Sequence, residues 1–264
     1  ADAGLRPGDH VAMCLENHPH YLAMLWGAHY AGLIYTAISS RLTTEEMAYI
    51  ITNSGSKALI TSPHKADQAE ELRSQMPDVE LRLMVDSTID GYDSYEAVIA
   101  NASVEPLPDR VGGYDMLYSS GTTGRPKGVL QTREQIPLQE GGAQVSALLA
   151  GLFGVDGDSV YLSPAPMYHV APLRFNMAVL TLGGTTVVME HFDAEEYLAL
   201  IDAHDVTISQ VVPTMFVRML KLPDEARSRH DISSLNTVIH AAAPCPVDVK
   251  RRMIDWWGPV LHEY

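Results

Sequence analysis

The sequence predicts an α/β protein of two helix-flanked, mostly parallel β-sheets, and three observations lead there. Short apolar runs of strand length alternate with helix-period patterns, the arrangement in which crossover helices cover a parallel sheet. The rhythm breaks at "VEPLPDRVGG" (Val104 to Gly113), where two prolines and paired glycines interrupt it, and then starts again. The chain has 264 residues and is 46% hydrophobic, enough for a large core and two lobes. The expected division is a first subdomain over residues 1–105 and a second over 106–264, the two sheets meeting at a cleft.

In the first half, "VAMCL" (Val11 to Leu15) reads as a buried strand, and Asn17 can cap a helix running through Trp26 and Tyr30. "LIYTAI" (Leu33 to Ile38) is strand again. Thr43 and Glu46 have the spacing of a capping box, and Gly55 supplies the left-handed stop of the helix that follows. "KALITS" (Lys57 to Ser62), a helix from Lys65 to Met76 and "ELRLMVD" (Glu80 to Asp86) continue the alternation. The second half opens with "YDMLYSS" (Tyr114 to Ser120) and, after a glycine-rich loop, the β-like "VLQT" (Val129 to Thr132). A helical segment from about Leu138 to Phe153 precedes strands in "SVYLSPAP", "GTTVVME", "VTISQVVP", "NTVIHAAAP" and "PVLHE". Helices are expected over Ala194 to His204, around Phe216 to Lys221, and over Val247 to Trp257.

The formal net charge is −15, from 33 acidic and 18 basic residues, which disfavours a general nucleic-acid or anionic-membrane surface. Any recognition of phosphate must therefore be local. No apolar run reaches the roughly 20 residues of a membrane span, the longest candidate being Ala143 to Val155. Two cysteines, Cys14 and Cys245, lie far apart in apolar contexts, which suits a reducing compartment, and the cytoplasm is the expected location. His18 and His20 have no Cys or carboxylate partner at ligand spacing, so no protein-held metal is assigned.

One stretch carries chemistry. In "YSSGTTGRPKGV" (Tyr118 to Val129), Gly121, Gly124 and Gly128 let backbone amides approach a ligand, and Ser119, Ser120, Thr122 and Thr123 add hydroxyl donors. Lys127 adds a full positive charge. At about 4 Å and an effective dielectric near 20, one such pair with a phosphate oxygen is worth about 4 kcal/mol before desolvation, more than any single hydroxyl contact. A flexible surface turn is the bland alternative for a segment rich in Gly and Thr. The P-loop pattern GxxxxGK[ST] is not met, because Pro126 stands five places after Gly121 and Gly128 follows Lys127.

The same stretch resembles the phosphate-loop signature of the adenylate-forming superfamily, which includes acyl-CoA synthetases, luciferases and peptide-synthetase adenylation domains. Other segments agree in order. "PMYHV" (Pro166 to Val170) resembles the family segment whose His lies between acyl pocket and nucleotide, here His169. "QVVPTM" (Gln210 to Met215) resembles the turn before the substrate pocket. "HAAAPCP" (His240 to Pro246) resembles the small-residue turn that lies against adenine, with Ala241 and Ala242 standing where glycine is common. "LHEY" (Leu261 to Tyr264) looks like the opening of the motif that continues Tyr-Gly-x-Thr-Glu.

The resemblance implies an acid–thiol ligase of the acyl-CoA synthetase type, using ATP, Mg2+ and CoA on a small-molecule carboxylic acid, fatty or aromatic. It implies catalytic roles for Lys127 and His169. Nucleotide contacts would come from Ser119, Ser120, Gly121, Thr122, Thr123, Gly124 and Lys127, from Ala242, Ala243 and Pro244, and from His262, Glu263 and Tyr264. The chain would be part of the large domain, with the mobile C-terminal domain and its catalytic Lys absent, so the 264 residues alone are expected to turn over near background. Loading of a carrier-protein thiol and a non-catalytic nucleotide-binding module are the rivals, and a homodimer is left open.

Overall fold

The computed structural model describes residues 3–107, 111–119, 125–130, 138 and 143–264. They form two units, residues 1–141 with 167–170, and residues 142–166 with 171–264.

The first unit holds β1 (His10–Cys14), α1 (Tyr21–Tyr30), β2 (Ile34–Ala37), α2 (Thr44–Asn53), β3 (Ser56–Thr61), α3 (Ala66–Leu72), β4 (Leu81–Met84), β5 (Asp93–Ser94), α4 (Tyr95–Ala100) and β6 (Tyr114–Asp115). Its sheet has the order β5-β4-β3-β1-β2-β6, and every pairing in it is parallel. β1 and β2 are almost wholly buried, as strands covered on both faces must be. Ala12, Cys14 and Leu59 join Met47, Ile50 and Ile51 of α2 and Leu72 of α3 in one core. The capping box is present: the Thr43 side chain accepts from the Glu46 N–H, and Glu46 accepts from the Thr43 N–H at 2.9 Å. Gly55 follows α2 with φ +68, the left-handed stop expected of it.

Two short strands come next, β7 (Leu117–Ser119) and β8 (Lys127–Val129), paired antiparallel as a hairpin. The strand expected at Val129 thus begins at Lys127, and residues 131 and 132 lie outside those described. The Pro- and Gly-rich stretch falls within the first unit, because β6 beyond it pairs with β2. The first unit runs on past residue 105, the division expected from the sequence, and includes the hairpin.

The second unit contains α5 (Ala143–Phe153), β9 (Val160–Ser163), α6 (Val170–Thr181), β10 (Thr185–Val188), α7 (Ala194–His204), β11 (Ile208–Val211), α8 (Pro213–Met219), α9 (Asp224–Arg227), β12 (Thr237–His240), α10 (Val247–Trp257) and β13 (Leu261–Glu263), with Val170 itself grouped in the first. The order is β10-β9-β11-β12-β13, again parallel throughout. Val211 and Val238 face a core of Tyr197, Phe216, Met253 and Trp257, while Ile208 and Ile239 face Leu149 and Phe175. Trp257 stacks on Tyr197, which makes it the core residue its helical spacing implies. α6 is absent from the sequence-based expectations, because Pro172 reads as a breaker; in the first turn of a helix proline forfeits no hydrogen bond.

Gly113 shows how closely β6 is held. A Cβ there would lie 2.2 Å from the Leu33 carbonyl oxygen and 2.9 Å from its nitrogen. Its N–H donates to the His29 carbonyl at 2.8 Å, and its own carbonyl accepts from His29 Nδ1 at 2.7 Å. Gly113→Ala must push β6 away from β2, and a loss of at least about 2 kcal/mol is expected in urea denaturation. A midpoint equal to the parent's would show that the strand can move without cost.

Candidate active site

The first unit places the hairpin residues Ser119 and Lys127 directly opposite each other. Both are exposed, and Lys127 makes no ion pair among the described residues. Ser120, Gly121, Thr122, Thr123 and Gly124, which connect the two stems, lie outside the described residues. Gly128 has a packing reason to be glycine: a Cβ there would meet the Tyr118 ring at 2.8 Å and Met116 Cε at 2.6 Å. The ring therefore lies across the glycine to which Tyr118 is paired.

His169 also lies in the first unit, on the segment just before α6. Its ring sits 4.6 Å from that of Tyr168. Partial desolvation lowers the imidazole pKa, and the Arg41 guanidinium lowers it further, so the neutral ring is favoured. Asn17 was expected to cap α1, but that helix starts at Tyr21 with His20 at its cap. The Asn17 amide oxygen instead accepts from the Met167 N–H at 2.8 Å. Asn17 thus tethers the segment that carries His169, across 150 residues of sequence, and only a tertiary contact could reveal it. His18 Nε2 meets Asp86 at 2.8 Å, joining the ends of β1 and β4. Among the described residues no group of three His, Cys, Asp or Glu could hold a metal.

The second unit brings together the ends of β12 and β13. The turn after β12 runs through Ala241, Ala242, Ala243 and Pro244, of which only Ala241 is buried. Ala242 has φ +72, a left-handed conformation that favours glycine. Glu263 binds this region together. Its carboxylate accepts from Lys250 Nζ of α10 at 2.7 Å and from the Cys245 N–H, and the Lys250 bond is the main reason its pKa is lowered. It braces the turn, through a partner that the sequence did not indicate because Lys250 lies a helix away. The Tyr264 N–H donates to the His240 carbonyl at 3.4 Å, and its side chain is exposed. His262 packs edge-on against Phe153, with ring centroids 5.3 Å apart.

His240 itself is fully buried beneath this turn, against the edge of Phe216. Neither ring nitrogen has a hydrogen-bond partner among the described residues, and the Glu263 carboxylate is 4.0 Å away. Burial pushes its pKa down, Lys250 pushes it further, and Glu263 opposes both.

The profile of the AMP-binding enzyme family matches residues 1–264. The chain belongs to the AMP-binding enzyme family. It is 32% identical over 262 residues to a feruloyl-CoA synthase from an Amycolatopsis species, covering 96% of this chain and 48% of that protein. It is 30% identical over 246 residues to FadD13, a long-chain-fatty-acid–CoA ligase of Mycobacterium tuberculosis, covering 92% and 46%. The crystal structure of ATP-bound MatB from Rhodopseudomonas palustris superposes with a TM-score of 0.78 at 25% identity, over 99% of this chain and 50% of that one. The chain spans about half the length of the curated relatives it matches.

Within this AMP-binding enzyme the turn and the buried histidine beside it generate two expectations. Ala242→Gly removes the left-handed penalty at the cost of a more flexible unfolded chain, for a net gain of about 0.5 to 1 kcal/mol, whereas Ala242→Val loses at least about 1 kcal/mol. Urea midpoints in the reverse order would show that the turn is unstrained. The second concerns acid. An imidazole whose folded pKa lies below its ordinary 6.5 binds fewer protons when folded, so the stability it allows is complete above pH 6.5 and declines as pH falls below it. His240→Leu is expected to flatten the decline between about pH 6.5 and 5, read from thermal midpoints across that range. An unchanged slope would place the titration elsewhere.

Proposed function

We propose that the protein serves the ATP-dependent activation of a carboxylic acid and its transfer to CoA. The reading rests on one observation above others: an exposed Lys127, with no ion pair among the described residues, stands opposite Ser119 on a two-stranded hairpin whose connecting loop is rich in glycine and hydroxyls. Membership of the AMP-binding enzyme family supports it.

In the first step a carboxylate oxygen of the acid attacks the α-phosphorus of ATP. A new P–O bond forms, the bond to the β-phosphate oxygen breaks, and pyrophosphate leaves with that electron pair. In the second, the CoA thiol attacks the acyl carbon, AMP departs, and the thiol proton is released. Both steps depend on positioning and charge stabilisation. Lys127 is assigned to the terminal phosphates, the turn over Ala242, Ala243 and Pro244 to the adenine face, and the neutral His169 ring to the neighbourhood of the acid. Magnesium is expected to accompany the triphosphate. Among the described residues no group of three His, Cys, Asp or Glu gathers to hold it.

An apolar acid, aromatic or fatty, is favoured by the character of Met167, Ala171, Phe175, Met215 and Val217, the first, third and fourth of which are buried. The two relatives are named for acids of those two kinds. The free thiols Cys14 and Cys245 accord with a reducing, cytoplasmic setting.

Calorimetry with ATP and AMP tests the phosphate assignment directly. Lys127→Ala is expected to weaken ATP binding about 10- to 100-fold, since one charge pair is lost, and to leave AMP binding unchanged. Equal ATP affinity in parent and variant would remove Lys127 from the site. Supplying feruloyl-type and long-chain acids with either CoA or a phosphopantetheinyl carrier protein then identifies acid and acceptor by the thioester formed.

A further inference from the structure

Both stems of the hairpin are tied to the same face of α2, and these ties have a role in neither the fold's core nor the chemistry above. On the first stem, the Tyr118 hydroxyl donates to Asn53 Oδ1 at 2.7 Å. At the start of the second, the Arg125 guanidinium lies 5.2 Å from the centroid of the Tyr49 ring. Tyr49 and Asn53 are four residues apart in one helix, so their side chains project from the same face, one turn from each other. Tyr118 packs beside Tyr49 at the margin of the α2 core, and burial pushes its phenol pKa up to about 12, which keeps the hydroxyl a donor. The stems held in this way are those on which Ser119 and Lys127 face each other.

We propose that Asn53 and Tyr49 are positioning residues for phosphate binding, with α2 acting as a two-point clamp on the hairpin. Asn53 fixes the first stem through Tyr118. Tyr49 fixes the second through Arg125. The clamp sets where the Lys127 ammonium is presented, without touching the ligand. Three bystander features become coherent on this account. Tyr118 must cross its paired residue to reach Asn53, which only glycine at 128 permits. Arg125 is occupied with an aromatic ring, which leaves Lys127 as the phosphate-directed cation of the hairpin. The helix that carries the clamp is itself fixed at its start by the Thr43–Glu46 capping box and by a bond from Thr44 Oγ1 to Glu71 of α3 at 2.7 Å.

The nucleotide part of this proposal rests on the assignment of the hairpin to phosphate, and the test separates the two. Asn53→Leu and Tyr49→Leu are compared with Asn53→Asp, which keeps an acceptor, and Tyr49→Phe, which keeps the ring. Hydrogen exchange is followed in peptides covering residues 117–119 and 127–129, alongside affinities for ATP and for AMP. Each leucine variant is expected to speed exchange in the stems and to weaken ATP binding about 3- to 10-fold, the scale of one lost hydrogen bond or cation–π contact, with AMP affinity unchanged. The conservative variants should match the parent. Combining Asn53→Leu with Tyr118→Phe should be no worse than Tyr118→Phe alone, because both remove one bond. Stem exchange and ATP affinity unchanged in the leucine variants would overturn the clamp. Equal weakening of ATP and AMP with a lowered melting temperature would reduce it to general support of the fold. If the parent binds no ATP while exchange responds as expected, the phosphate assignment fails and the mechanical tie stands alone.

Discussion

The approach of Gly113 to Leu33 is the contact on which the functional half of the first unit depends. No side chain fits between the two backbones, and His29 closes the gap with two hydrogen bonds to the same glycine. The consequence runs outward along the chain. β6 lies beside β2, Met116 continues the ladder to Tyr35, and the hairpin emerges where α2 can reach it. The anion role proposed for the loop calls for such support, because its residues are small and polar.

Charge is handled by the same economy. In a chain of net charge −15, a cation near a site is useful only if it is not already neutralised. Lys250 is held by Glu263 and Arg125 by Tyr49, so each does mechanical work where it stands. Lys127 has no such partner among the described residues. An exposed ammonium without a carboxylate partner can attract an anion locally, while the net field of the protein remains acidic and disfavours polyanions.

The second unit carries its own tension at the end of β12. A left-handed alanine and a buried histidine whose ring nitrogens have no hydrogen-bond partner among the described residues occupy four consecutive positions with two other small residues. Both features cost stability, and both persist because β13 and α10 hold the turn from either side through Glu263 and Lys250. Strain of this kind concentrates where backbone must approach a ligand, which accords with the adenine role proposed for the turn.

The sequence by itself determined the α/β class, most strands and helices, the capping box at Thr43 and the family, because each is written in local periodicity or in a contiguous motif. The helix over Val170–Thr181 escaped, since proline in a first turn has the same letter as proline that breaks a helix. What only the tertiary structure decided was partnership. Asn17 could equally cap its own helix or hold Met167, and nothing local pairs Glu263 with Lys250. The place where the units divide belongs to the same class, because a Pro- and Gly-rich stretch marks a turn without saying which sheet the next strand joins. These choices depend on which groups come within hydrogen-bonding distance after dozens of intervening residues have packed, and no local pattern encodes that distance.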